Sequence, residues 1–222
     1  MFRSLLNLFF PKLCAACSKK IIQEHPFLCM NCEEELINST TVESRRITRI
    51  FRGRVPIEKG ASLFYFDKKG KVQAVIHQIK YREQKDLAIY MAETLAQKLG
   101  SDFFEDIDLI IPVPLHPKKR KKRGFNQSEF IAEGIHNKTQ ITLDTKSLLR
   151  VEHTQTQTKK GRFERWQNVS EAFQVVGELI DPKAHILLID DVLTTGATLE
   201  ACAKALLKSK SRKISVLTLA WA

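Results

Sequence analysis

Residues 186–189, Ile-Leu-Leu-Ile, run straight into Asp190 and Asp191, then through Val192 and Leu193 into Thr194, Thr195, Gly196, Ala197 and Thr198 and a helical pattern. A short unbroken apolar run suits a strand buried on both faces, and such strands occur in parallel sheets covered by helices. This feature commits the chain to an α/β fold. It also delivers two adjacent carboxylates to the C-terminal edge of the sheet, where open α/β sheets bind ligands. The turn that follows is small and rich in hydroxyls. Gly196 permits it, and backbone N–H groups at the start of the next helix can then face a phosphate. On their own, the same residues also describe a helix cap beside a solvated sheet edge.

The remaining pattern agrees with alternating strands and helices. Residues 60–66 (GASLFYF) read as a strand, 72–81 and 85–99 as helices, and 108–113 (DLIIPV) as a second buried strand. In the second helix Leu87, Ala88, Met91, Leu95 and Leu99 fall near one face. Helical pattern resumes over 128–136, and strands are expected at 146–151, near Val175, at 185–190 and at 213–220, with a helix over 196–209. Residues 152–168 (EHTQTQTKKGRFERWQN) have little apolar content and no clean period, which predicts a long functional loop.

The N-terminal part has a different logic. Cys14 and Cys17 form one C-x-x-C pair and Cys29 and Cys32 another, with eleven residues between the pairs. Two such pairs place four sulfurs tetrahedrally around Zn²⁺, and with every position taken by cysteine the metal is structural. Four unrelated thiols and a redox pair are the other readings. No strand leads into either motif, which disfavours the second. Cys202, on the helix after Gly196, reads as a packed thiol. Residues 1–10 (MFRSLLNLFF) are expected to form a short amphipathic helix on the cysteine module, since Asn7 and Pro11 interrupt a signal-like pattern. Residues 33–58 read as a connector, so two units are expected: 1–54 with the cysteines, and 55–222 with the α/β sheet. No window reaches the length of a membrane-spanning helix, so stable membrane insertion is not expected, and reduced cysteines in metal spacing point to the cytoplasm.

ILLIDDVLTTGAT resembles the thirteen-residue signature with which type I phosphoribosyltransferases bind phosphoribosyl pyrophosphate (PRPP), and every position is compatible. The four cysteines, IPVPLHPKKRKKRGFNQSEFIA, and Gln157, Arg165 and Asn168 ahead of Ala172 and Phe173 extend the likeness over nearly the whole chain. Together they resemble the ComF family of competence-associated phosphoribosyltransferase-like proteins. The resemblance implies a type I phosphoribosyltransferase-like parallel sheet flanked by helices behind a small zinc module. It implies that Asp190 and Asp191 hold the ribose hydroxyls of Mg²⁺-bound PRPP, and that Thr194, Thr195, Gly196, Ala197 and Thr198 wrap the 5-phosphate. Pro112, Val113, Pro114 and His116 would form the pyrophosphate loop, and Gln157 and Arg165 would lie in a hood over the site. Arg123, beside RGFNQ, is given a phosphate role.

The chain carries 36 Lys and Arg against 25 Asp and Glu, a formal charge of +11, which a four-thiolate zinc site would lower by about two. Such a balance attracts phosphoesters or nucleic acid. Residues 118–123 (KKRKKR) cannot be core; they could grip polyphosphate or single-stranded DNA, with Phe125 as a stacking surface, or simply be solvated. Two functions follow. One is a transferase that moves phosphoribosyl from PRPP to a nitrogen acceptor. The other is a non-catalytic PRPP-sensing protein that contacts single-stranded DNA and competence proteins during DNA uptake.

Overall fold

The structure, a computed structural model, describes residues 11–21, 26–38, 44–66, 70–81, 84–151, 172–177, 181, 183–208 and 213–222. The expected N-terminal helix over 1–10 and the 152–168 loop, with Gln157 and Arg165, lie outside the described residues.

Five parallel strands form the central sheet in the order β1-β7-β6-β2-β3. They are β1 (Gly60–Tyr65), β7 (Lys213–Trp221), β6 (His185–Leu193), β2 (Leu109–Pro112) and the two-residue edge strand β3 (Thr142–Leu143). A separate antiparallel pair joins β4 (Leu148–Arg150) to β5 (Phe173–Val175). The parallel sheet has helices on both faces, as expected for a parallel α/β fold.

The reason lies in side-chain alternation along the central strands. Leu187 and Ile189 of β6 join Ile110, Leu217 and Leu219 in one core, while Ile186 and Leu188 join Leu109, Ile111, Ile214 and Val216 in a second. An apolar residue is therefore needed at every position. The first core is covered by α3 (Lys71–Tyr81), α4 (Lys85–Leu99) and α7 (Gln127–Thr139) through Val75, Ile79, Leu87, Leu95, Ile131 and Ile135. Helices α4 and α7 approach closely at Gly134, where an added Cβ would lie 2.6 Å from the Ile89 carbonyl oxygen and 2.7 Å from Ala92 Cβ. The second core is covered by α2 (Ser44–Phe51) and α8 (Ala197–Lys208) through Ile47, Phe51, Leu199 and Leu206.

The cysteine segment does not stand apart. Cys14, Leu28, Cys32 and Leu36, the last on α1 (Met30–Asn38), are buried in the first core. The expected connector thus takes in the rest of α1 from Glu33 and all of α2, and α2 contributes two fully buried side chains, Ile47 and Phe51, to the second core. Short helices α5 (Ser101–Phe104) and α6 (Pro117–Arg123) complete the described elements. Among the described residues no helix is long and apolar enough to cross a membrane.

Candidate phosphate and ribose site with a cysteine cluster

β6 runs three residues beyond the expected end at Asp190, because β7 continues beside it: Asp190 pairs with Thr218, Val192 with Ala220 and Leu193 with Trp221. Asp190 and Asp191 thus sit near the C-terminal end of the strand. Asp190 Oδ1 accepts from Ser128 Oγ at 3.1 Å and from the Asp191 N–H at 2.8 Å. Asp191, buried, has Oδ2 3.1 Å from Lys80 Nζ, an ion-pair distance without hydrogen-bond alignment. Burial first, and then the neighbouring Asp191 charge, push the Asp190 carboxyl up to about 7; the Asp191 N–H, the Ser128 hydroxyl and Lys80 only partly oppose this.

The turn after β6 has Thr194 and Thr195 exposed and Gly196 at φ +77°, a left-handed conformation that favours glycine. Space requires glycine as well, since a Cβ there would meet Phe51 Cε1 at 2.9 Å and Ile50 Cγ2 at 3.2 Å. The turn is held from behind. Arg54 donates from Nη2 to the Thr195 carbonyl at 3.1 Å and from Nη1 to Glu200 Oε2 at 2.9 Å, and Lys204 also pairs with Glu200, at 2.6 Å. Thr198, on the first turn of α8, is partly exposed, and Ala197 N donates to Thr195 Oγ1 at 3.4 Å.

The end of β2 comes to the same edge. Pro112 pairs with Ile189, and the Val113 N–H donates to the Ile189 carbonyl at 2.8 Å. Asn126 fastens this loop: its Nδ2 donates to the Val113 carbonyl at 3.0 Å, and its Oδ1 caps α7 by accepting from the Ser128 N–H at 3.2 Å. Ser128 then reaches Asp190, so the chain past Pro114 is stitched back to the acidic pair. His116 is the N-cap of α6, its Nδ1 accepting from the Lys118 N–H at 3.2 Å. Arg123 donates to Gln127 Oε1 at 3.0 Å and lies 5.0 Å over the Tyr81 ring. The basic run is a helix with no buried residue, started by Pro117 and closed by Gly124 in the left-handed region. Phe125 is partly exposed, but its ring stacks on Phe130 at 5.5 Å between centroids.

Lys80, Ser128 as the partner of Asp190, and Arg54 are the parts of this site that the linear pattern does not disclose. Lys80 sits one residue after the buried Ile79 on an otherwise ordinary helix, and Arg54 lies in the connector. Their roles exist only once distant elements meet.

The four cysteine sulfurs lie within 4.8 Å of one another, close enough to hold a metal ion. Cys17 Sγ and Cys29 Sγ are 3.8 Å apart, and two sulfurs about 2.3 Å from a tetrahedral Zn²⁺ would be separated by about 3.8 Å. The donor set therefore fits zinc. Burial opposes ionisation of Cys14, yet hydrogen bonds from the backbone at Cys29, Cys17 and Ala16 and from the Cys17 thiol outweigh it and bring the thiol down to about 7. Burial, thiol hydrogen bonds and the Cys14 charge push Cys32 up. Cys202 is fully buried in the second core, away from this cluster, and its thiol is raised by burial and by the Asp190 charge.

The chain is thus an α/β protein with an acidic pair at a strand end, a glycine turn leading into a helix and a four-cysteine cluster. No family model matches the chain. It is homologous to proteins named competence protein F, ComFC and YhgH. The DNA utilization protein YhgH of Salmonella typhimurium is 30% identical over 146 residues, which cover 64% of this chain and 63% of that protein. Competence protein F of Haemophilus influenzae is 35% identical over 51% of this chain and 50% of its own length. Competence protein ComFC of Bacillus subtilis is 24% identical over 94% of this chain and 83% of its own. The chain thus spans less than two thirds of the length of the YhgH relatives it matches. Structural neighbours are the allosteric regulatory enzyme of purine biosynthesis (TM-score 0.43, 15% identity, 64% of this chain and 30% of that chain) and a hypoxanthine phosphoribosyltransferase of Staphylococcus aureus (TM-score 0.35, 17% identity, 59% and 62%).

Proposed function

We propose that the chain binds Mg²⁺-PRPP at the C-terminal end of β6 and transfers the phosphoribosyl group to a nitrogen acceptor, in a role linked to competence and DNA uptake. The observation that carries this reading is the Asp190–Asp191 pair running directly into the Gly196 turn and α8. Asp190, oriented by Ser128, and Asp191, beside Lys80, accept hydrogen bonds from the two ribose hydroxyls. Backbone N–H groups and the hydroxyls of Thr194, Thr195 and Thr198 take the 5-phosphate. Residues 112–114, His116 and Arg123 face the departing pyrophosphate, with Gln157 and Arg165 assigned to the covering loop. Mg²⁺ supplies charge neutralisation for the diphosphate. In this scheme the chain's own contribution is positioning and charge stabilisation. Cys14, Cys17, Cys29 and Cys32 hold one structural Zn²⁺.

Calorimetry with PRPP and Mg²⁺ tests the reading on the wild type and on Asp190→Asn with Asp191→Asn. Hydrogen bonds to charged groups contribute roughly 1.5 to 3 kcal/mol each, so the double change should weaken binding at least tenfold. Equal affinity in both proteins, or no binding by the wild type, would mean that this segment is only a strand, a turn and a helix cap.

A second reading is favoured by the exposed α6 helix and by the names of the relatives: a PRPP-sensing protein that contacts single-stranded DNA and competence partners. Lys118, Lys119, Lys121 and Lys122 are all exposed. Neutralising them should flatten the dependence of log K on log salt for single-stranded DNA. Isotope exchange between pyrophosphate and PRPP separates the two readings, because only the transferase catalyses it.

A further inference from the structure

Helix α2 has two unlike faces. Ile47 and Phe51, four residues apart, are buried in the second core. Arg45 and Arg49 on the helix and Arg52 just past its end, at spacings of four and three, fall on the opposite side and are exposed. That side lines a cavity of about 760 Å³ together with Arg54 and the 53–57 turn. Among the described residues, no acidic side chain and no aromatic ring lines it. Arg54 is committed to Glu200 and to the Ile50 and Thr195 carbonyls. Arg45, Arg49 and Arg52 make no ion pair with a carboxylate among the described residues.

Three guanidinium groups with no carboxylate partner among the described residues, spread over about 10 Å along α2 and the turn after it, repel one another, and the fold gains nothing obvious from holding them together. Arginine presents a rigid fork of donors suited to phosphate oxygens, so a phosphate-rich anion relieves the repulsion with charge-assisted hydrogen bonds. The cavity's form restricts the ligand. Single-stranded nucleic acid sites combine an extended basic groove with aromatic stacking surfaces. Here no ring lines the cavity among the described residues.

We infer that Arg45, Arg49 and Arg52 form a second anion site, distinct from the Asp190–Gly196 region, that takes a compact oligophosphate group. This site lies on the outer side of the helix whose inner residues, Ile50 and Phe51, abut Gly196. It stands independently of PRPP binding at the sheet edge.

Inorganic triphosphate is the probe, titrated calorimetrically at low salt into the full chain. The wild type should bind it, and Arg45→Ala with Arg49→Ala and Arg52→Ala should weaken binding at least tenfold. The three side chains are exposed, so circular dichroism and PRPP affinity should stay unchanged in the same protein. Neutralising Lys118, Lys119, Lys121 and Lys122 should leave triphosphate affinity within twofold. Equal affinity in the arginine variant, loss in the lysine variant alone, or no binding by the wild type would overturn the inference. So would an oligothymidylate that binds through these arginines and that triphosphate fails to displace.

Discussion

Replacing Asp190 by Asn should stabilise the ligand-free protein at neutral and alkaline pH. Burial and the Asp191 charge raise the Asp190 carboxyl from 3.8 to about 7. The folded-state value lies above the unfolded one, so the folded protein binds more protons between about pH 4 and pH 7. The stability contributed by the protonated carboxyl is complete below pH 4 and is lost as pH rises through 7. At 1.36 kcal/mol per pH unit the whole loss is about 4 kcal/mol. Asp190 keeps some solvent contact, so about 2 to 4 kcal/mol is the working range. Asn does not titrate, and its side-chain oxygen still accepts from Ser128 and the Asp191 N–H. The variant should therefore gain about 2 to 4 kcal/mol at pH 8, less than half as much at pH 5, and little near pH 4. For a chain of this size that corresponds to a melting temperature higher by roughly 5 to 15 °C at pH 8. Urea titrations of both proteins at pH 5 and pH 8 provide the measurement. Coincident midpoints at pH 8 would refute the reasoning, as would a gain that fails to shrink at pH 5, since that would reflect packing and not charge.

Three further outcomes are expected. Protein made under zinc-replete, reducing conditions should contain about one Zn²⁺ per chain by elemental analysis, and Cys14→Ser should abolish it and lower stability; zinc below half an equivalent would remove the metal claim. Gly196→Ala forces a side chain into a left-handed turn and against Phe51, so it should cost about 1 to 2 kcal/mol in denaturant unfolding and weaken PRPP binding together. Arg54→Ala leaves the buried Glu200 paired with Lys204 and frees the Thr195 carbonyl, so about 1 to 3 kcal/mol should be lost; an unchanged urea midpoint would show that the turn needs no such support.

The sequence made the central strands and the acidic turn legible because their signal is local: an apolar residue at every position, then two carboxylates and a glycine. It was less informative where structure depends on a distant partner. The extension of β6 to Leu193 follows from its register with Trp221, and β3 exists as two residues only because β2 lies beside it. Helix α2 buries just Ile47 and Phe51 among five arginines in the 44–54 stretch, too few apolar positions to reveal a period. Helix α6 did carry readable marks, Pro117 at its start and Gly124 at its end, masked by the uniform charge between them. In the candidate site, the carboxylates could be named from the sequence, whereas Lys80, Ser128 and Arg54 depend on how helices from three other segments land on the sheet edge.

The double role of α2 bears on how this protein can be cut. A fragment that starts at residue 55 would retain the sheet, the acidic pair and the glycine turn, yet it would lose the Phe51 ring that fills the space behind Gly196 and the arginine that fastens Thr195. The second core, which Ile47 and Phe51 help to close, would be left open to water. Such a fragment would keep every residue of the signature and still present it on a softened backing, so weak ligand binding by a shortened protein would report the missing prop and not the chemistry of the loop.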